Sequence, residues 1–397
     1  MTALDQLTVP RVDQDGPAAD VANFTYVDIS SIDNQAKRVV EPKVLAIGDA
    51  PSRARQRLQA GDVLVSMTRP NLNAVAIVPP ALDGAVGSTG FHVLRARRKV
   101  LPEWLYFGVQ TKRFIEEMSS VVQGALYPAV RPKDIRAFRL PAPPVEEQCR
   151  IVAEIEKQFS RLDEAVANLQ RVKANLRRYE RAVLAEAVGD QGIEPLGELP
   201  AGWMWKALPD LGELGRGKSK HRPRDDIRLY GGPFPFIQTG DVRRSGGLIK
   251  EFTQTYSEFG LAQSRLWPAG TLCITIAANI AETGILAMPA CFPDSVVGFL
   301  SDDKTLTRFV EFFMRTARED LERFAPATAQ KNINLAILER VVVPVPSPAE
   351  RDRIVAEVDR RLSIVREVET EVDMNLKRAQ ALRQSVLQAA FACKLPA

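Results

Sequence analysis

The sequence predicts an α+β protein: two pseudo-symmetric, β-rich globular domains separated by two long antiparallel helices that pair as a coiled coil. Three observations carry this reading. They are an internal repeat, a long apolar stripe of helical period in each copy, and short β-branched runs in the segments between.

The repeat is visible by eye. The run Ile151-Val152-Ala153-Glu154 recurs as Ile354-Val355-Ala356-Glu357, an offset of 203 residues. At the same offset Pro141 and Pro143 map onto Pro344 and Pro346, Glu147 onto Glu350, Arg150 onto Arg353, Ser160 onto Ser363 and Glu164 onto Glu367. Val183-Leu184 maps onto Val386-Leu387. A chain of 397 residues exceeds one ordinary core, so two copies of one unit, a globular part followed by a helix, account for its length. The boundaries fall at 1–143, 144–190, 191–346 and 347–397.

The helices follow from periodicity. Ile151, Ile155, Phe159, Leu162, Val166, Leu169, Val172, Leu176, Tyr179, Val183 and Ala187 recur at steps of three or four with no Pro or Gly before Gly189. The second stripe runs Ile354, Val358, Leu362, Val365, Val368, Val372, Leu376, Ala379, Leu382, Val386, Ala390. Each helix of about 40 residues would extend roughly 60 Å. A stripe that long needs a cover, which the other copy supplies. Pro-rich hinges precede both helices, where proline is tolerated only in the first turn. Glu146, Glu147 and Glu350 suit the positive ends of the helix dipoles.

The globular parts read as mixed and β-rich. Strands are expected over 62–67 and 74–78 in the first copy and over 271–277 and 284–288 in the second, rich in β-branched residues and bounded by Gly, Pro or Asn. The segment from Leu58 (LQAGDVLVS) matches that from Trp267 (WPAGTLCIT) at an offset of 209, so the two domains share a plan and differ in detail.

Composition excludes several classes. The scattered cysteines, Cys149, Cys273, Cys291 and Cys393, offer no paired ligands for zinc and no disulfide framework, so no metal is expected. His92 and His221 are the only histidines, too few for histidine-rich catalysis. His92, in a strand-like run, reads as structural or peripheral. No apolar run reaches membrane-spanning length, and a cytoplasmic location is expected. The net charge of +4 is modest, but cations cluster at Arg53/Arg55/Arg57, Arg95/Arg97/Arg98/Lys99, Arg131/Lys133/Arg136/Arg139, Lys218/Lys220/Arg222/Arg224 and Arg243/Arg244, suited to phosphates.

One motif competes. Gly212 to Ser219 (GELGRGKS) satisfies the phosphate-loop pattern, which works when a strand delivers the loop into a helix N-terminus. Here Pro209 stands upstream and Pro223 downstream, so a basic DNA-facing loop is the better reading. A P-loop NTP-hydrolysing enzyme and a helical assembly scaffold without DNA binding are the alternatives. No catalytic centre is visible.

The hinge and helix from Leu140 to Ala187 closely resemble the central conserved helix of type I restriction-modification specificity subunits. VPSPAERDRIVAEVDRRLSIVREVE in the second copy is similar to the distal conserved helix, and SVLQAAF from Ser385 to its end. FPFIQTGDVRRSGGLIKE from Phe234 and QAGDVLVSMTRPNLNAV from Gln59 resemble edges of that family's target-recognition domains. The resemblance implies a non-catalytic subunit whose two domains each bind half of a split double-stranded DNA target, with the helices as a ruler. It implies two methyltransferase subunits as partners, and restriction subunits in some complexes. No cofactor is expected on this chain; S-adenosylmethionine and ATP would belong to the partners.

Base edges need donors and acceptors in fixed geometry, whereas phosphates need charge. Polar loop residues after strands are therefore the expected DNA contacts. In the first domain these are Thr68, Arg69, Asn71, Asn73, Ser88, Thr89, Gln123 and Tyr127, with Arg131 and Lys133 for phosphate. In the second they are Lys218, Ser219, Lys220, Arg222, Gln238, Thr239, Asp241, Arg243, Arg244, Asn279, Gln330, Lys331 and Asn332. The opening of the second domain, LPAGWMWKALPDLGELGRGKSK, has no evident counterpart in the first, whose N-terminal twenty residues are expected to be disordered or engaged with a partner.

Overall fold

Both proline hinges lead directly into helix. In the first the N–H of Gln148 donates to the carbonyl of Pro144 at 3.0 Å, and in the second that of Arg351 donates to Ser347 at 2.9 Å. The helices that follow, Val145–Val188 and Pro348–Phe391, are 44 residues each. The computed structural model describes residues 1–18, 21–122, 128–189, 198–277, 280–324 and 333–392. The chain divides into two compact units, one of residues 1–170 with 373–397, the other of residues 171–372. Each unit thus holds part of both long helices.

Within each unit the two helices pair antiparallel. In the first, Arg383 donates to Asp163 at 2.9 Å and stacks over the Phe159 ring, while Leu387 and Ala390 bury Ile151, Val152 and Ile155. In the second, Arg361 donates to Glu186 at 2.9 Å. Position numbers rise along one helix as they fall along the other. The ends of the apolar stripes are buried, but Val172, Tyr179, Val368 and Leu382 on the stripes stay exposed.

In the first unit an antiparallel sheet has the order Phe91–Leu94, Val63–Ser66, Val75–Ile77; in the second the order is Val296–Leu300, Leu272–Thr275, Thr283–Leu286. The expected strands fall on these elements. The Gly that starts each central hairpin, Gly61 at φ +87° and Gly270 at φ +89°, takes a conformation that L side chains rarely adopt. The second sheet is wider, adding Glu213–Arg216 antiparallel on one side and Gly247–Ile249 parallel on the other. The first unit instead carries a separate four-stranded sheet of order Lys43–Ala46, Asn23–Val27, Val86–Ser88, Ala54–Arg57.

The N-terminus departs from expectation. Thr2–Ala3 is a strand paired with Arg139–Leu140, and Leu4–Leu7 is a helical turn whose Leu4 and Leu7 are buried. Its counterpart is Met204–Ala207, which pairs with Val342–Val345. Thr2-Ala3-Leu4-Asp5-Gln6-Leu7 therefore matches Lys206-Ala207-Leu208-Pro209-Asp210-Leu211, and Leu4 and Leu7 belong to the core as Leu208 and Leu211 do. The physical reason is the spacing of the two leucines, which fills the same apolar site in both copies. Of the first twenty residues, Ala19 and Asp20 lie outside those described.

Candidate nucleic-acid interface

The candidate loops of the first unit meet at one residue. As the strand Val63–Ser66 ends, the N–H of Met67 donates to Gly90 at 3.0 Å and its carbonyl accepts from Val130 at 2.8 Å. Thr68 bridges Ala129, and the N–H of Arg69 donates to Pro128 at 2.8 Å. Three backbone hydrogen bonds thus gather the loops around 68–73, 88–90 and 128–133. Arg69 is exposed and held at φ 48°, a left-handed conformation uncommon outside glycine.

Ile276 makes the same junction in the second unit. Its N–H donates to Ser295 at 2.9 Å, and its carbonyl accepts from Ile333 at 3.0 Å. Asn279, Gln330, Lys331 and Asn332, which flank these residues in sequence, lie outside the described residues, as do Gln123 and Tyr127 of the first domain.

Several expected contacts are committed inside the protein. Asn73 is buried; its side chain donates to Val109 at 2.9 Å, and it accepts from Lys37. Burial, with Arg383 nearby, lowers the Lys37 ammonium to about 8. Ser88 is buried, with its hydroxyl accepting from Gly90 and its carbonyl from Gln56. Asp241 is buried, accepting from the Gln238 N–H at 2.9 Å, from Arg244 at 2.6 Å and from Thr253 at 3.2 Å. Their groups hold loops in shape and present nothing to solvent.

Other candidates are open. Asn71, Thr68, Lys133 and Arg131 are exposed, Arg131 capping its helix through Asp134 at 3.1 Å, which holds that carboxyl below its usual range. Thr89 is half-buried beside a cleft of about 270 Å³ lined also by Arg11, Gln14, Gln56, His92 and Arg136. Burial, with Arg136 adding to it, lowers His92 to about 4, so its imidazole is neutral near pH 7. Arg11 and Gln14 were missed from sequence because the N-terminal stretch looked unstructured; the signal lay in the Leu4 and Leu7 spacing just before them.

In the second unit Lys218, Lys220 and Arg222 are exposed on a segment held by Ser264, which donates to the Lys218 carbonyl at 2.8 Å, and by Gln263, which accepts from the His221 N–H at 3.0 Å. The Ser219 hydroxyl meets the Tyr256 hydroxyl at 3.2 Å. Arg243 lies 4.0 Å from Glu282, beside the Ile276 junction; Arg244 is also exposed, Gln238 is exposed and donates to Gln254, and Thr239 is half-buried at the start of the turn Thr239–Arg244.

The phosphate-loop pattern is a strand here. Glu213–Arg216 pairs antiparallel with Val296–Leu300, and no α-helix follows until Thr239. A Cβ on Gly217 would meet the Pro293 carbonyl at 2.3 Å, and one on Gly212 the Leu300 carbonyl at 2.4 Å. The glycines permit close backbone approach, which explains the pattern without a nucleotide. Among the described residues no cluster of His, Cys, Asp or Glu could hold a metal ion, and no helix is long and apolar enough to cross a membrane.

The chain is thus two copies of one sheet-and-helix unit, a two-headed protein whose copies share a backbone junction at the same strand end, Met67 in one and Ile276 in the other. Residues 200–371 match the type I restriction modification DNA specificity domain. The HindI specificity subunit of Haemophilus influenzae is 21% identical, covering 82% of this chain and 85% of its own length; the EcoKI specificity subunit of Escherichia coli is 23% identical, covering 77% and 68%. A chain solved for the assembly and conformational transition of the type I R-M system superposes with a TM-score of 0.81 at 26% identity over 99% of this chain and 97% of that one. The HsdS subunit of Thermoanaerobacter tengcongensis gives 0.54 at 28% over 99% and 96%. The domain match and the likeness along nearly the whole chain support a specificity subunit of a type I restriction-modification system.

Proposed function

We propose that this chain is the DNA-reading subunit of a type I restriction-modification complex, that it recognises a bipartite target, and that it directs methyltransferase and restriction subunits there without a catalytic centre of its own. The carrying observation is the junction repeated at Met67 and Ile276 at the end of the same strand in both copies, which in the first copy gathers three candidate loops. Two similar heads suit a split target. Held at one separation they accept two half-sites at only one spacing and phase, because each added base pair lengthens and rotates the duplex.

In this reading Arg69, Asn71 and Thr89 face bases in one half-site, and Gln238, Arg243 and Arg244 in the other. Lys133, Lys218, Lys220 and Arg222 face phosphate, while Asn73, Ser88 and Asp241 shape the loops. The recognition domains are 1–143 and 191–346, with helical spacers 144–190 and 347–397. Two methyltransferase subunits dock along the helices, where the exposed Val172, Tyr179, Val368 and Leu382 offer apolar contact. They bring S-adenosylmethionine, and any restriction subunits bring ATP, in the cytoplasm.

The test is a genome-wide map of N6-methyladenine in a host expressing this chain with its neighbouring methyltransferase, against the same host lacking only this chain. A split, asymmetric methylated motif that depends on the chain is the expected result. An unchanged pattern with an active methyltransferase overturns the proposal.

A further inference from the structure

The two copies solve one buried position in opposite ways. In the second unit Glu311, on the helix Lys304–Thr316, has no exposed surface. It accepts from the Thr283 hydroxyl at 3.2 Å and from Arg308 at 3.0 Å, and Arg315 stands 3.8 Å away. The first unit supplies the comparison. Gln148 and Arg351, related by the 203-residue offset, bind the residues that start the equivalent helices, Leu101 and Asp303. Eight residues further on stand Val109 and Glu311. The strand facing that helix carries Val75 in the first copy where the second has Thr283, from the matched pairs Val63 with Ile77 and Leu272 with Ile285. Val75 and Val109 are fully buried in one apolar cluster.

The fold therefore does not need a carboxylate there. A buried charge loses its hydration, and an apolar pair of suitable size is commonly as stable or more so. What the apolar pair lacks is direction. Arg308, held against Glu311, reaches Asp359 on the second long helix at 2.7 Å, and Arg315 reaches Glu180 on the first. One carboxylate thus fixes two guanidiniums, each bonded to a different long helix. In the first copy the place of Arg308 is taken by Tyr106, whose hydroxyl donates to Lys37 within its own domain. The network also touches the candidate reading surface, since Thr283 follows Glu282, which binds Arg318 at 2.8 Å and lies 4.0 Å from Arg243.

We propose that Glu311 is a positioning residue: with Arg308 and Arg315 it latches the second recognition domain to both long helices in one orientation, and so restricts the spacing at which the second half-site is accepted. This rests on the bipartite reading above. The latch contributes specificity, and the apolar pair in the other copy marks what stability alone would select.

The experiment uses the full chain assembled with its methyltransferase. Duplexes carry both half-sites at the native spacing, the same half-sites one base pair closer or further, or the second half-site alone. Thr283→Val/Glu311→Val places the first domain's valine pair at these two positions while leaving Arg308 bonded to Asp359 and Arg315 to Glu180, and Glu311→Gln keeps the shape without the charge. The expected result is an unfolding temperature near wild type, unchanged affinity for the isolated half-site, and at least a tenfold loss in the preference for native spacing. Full spacing preference in either folded variant overturns the proposal. So does a loss of isolated half-site binding that accounts for the whole effect. A wild-type complex with no bipartite motif would instead sink the reading of function, a separately visible outcome.

Discussion

The backbone N–H of Leu4 donates to the carbonyl of Phe138 at 2.8 Å, tying the start of the chain to the strand that leads into the first proline hinge. The same bond joins Leu208 to Val341 at 2.9 Å in the second unit. Leu4 is fully buried among Val63, Leu105 and Phe138. Truncating a buried leucine removes its transfer free energy and leaves a cavity, so Leu4→Ala is expected to cost about 2–5 kcal/mol. Thermal unfolding of the purified chain measures it. A wild-type melting profile would mean the N-terminal turn is not part of the core.

The exposed cations of the phosphate-loop pattern separate two activities. Lys218→Ala is expected to weaken DNA binding by a similar factor on cognate and unrelated duplexes, and to lower the slope of log affinity against log salt by about 1. ATP binding is expected to be absent from wild type and variant alike, because a strand occupies the place of the loop. Saturable nucleotide binding lost on Lys218→Ala would restore the enzyme reading.

Arg69 and Lys133 should behave differently from each other. Arg69 is held at φ 48° at the loop junction and is exposed, a geometry suited to a base edge. Arg69→Ala is expected to cost about 1–3 kcal/mol on the cognate duplex and to relax the motif at one position of one half-site. Lys133→Ala should lower affinity without changing the motif. Methylome sequencing of both variants decides it, and an unaltered motif with Arg69→Ala removes that residue from base reading.

The long helices were legible because a stripe of period 3.6 over forty residues has few alternatives, and the repeat placed both hinges. The N-terminal strand was not, since two paired residues and one helical turn leave too short a pattern; Ala3-Leu4 against Ala207-Leu208 is a match that only pairing makes meaningful. Polar loop residues were found by type, but type does not separate outward from inward. Asn73 and Asp241 are what a buried turn requires as much as what a base edge requires. Glu311 left no trace, because an acidic residue in an amphipathic helix normally faces water.

His92 gives the pH prediction its sign. Burial, reinforced by Arg136, lowers it from 6.5 to about 4. Between those values the unfolded chain takes up a proton that the folded one refuses, so stability is complete above about pH 6.5 and is lost as pH falls toward 4. The whole shift corresponds to about 3 kcal/mol, most of it gone near pH 4. Urea unfolding at pH 7.5 and pH 4.5 should therefore show a larger loss for wild type than for His92→Leu, which has nothing to protonate there. Coincident pH profiles would mean that the imidazole reaches solvent. Because His92 lines the cleft beside Thr89 and stays neutral above pH 6.5, its titration should not change DNA affinity between pH 8 and pH 6.5. A pH-dependent affinity in that window that His92→Leu abolished would show instead that the imidazole carries charge at the interface.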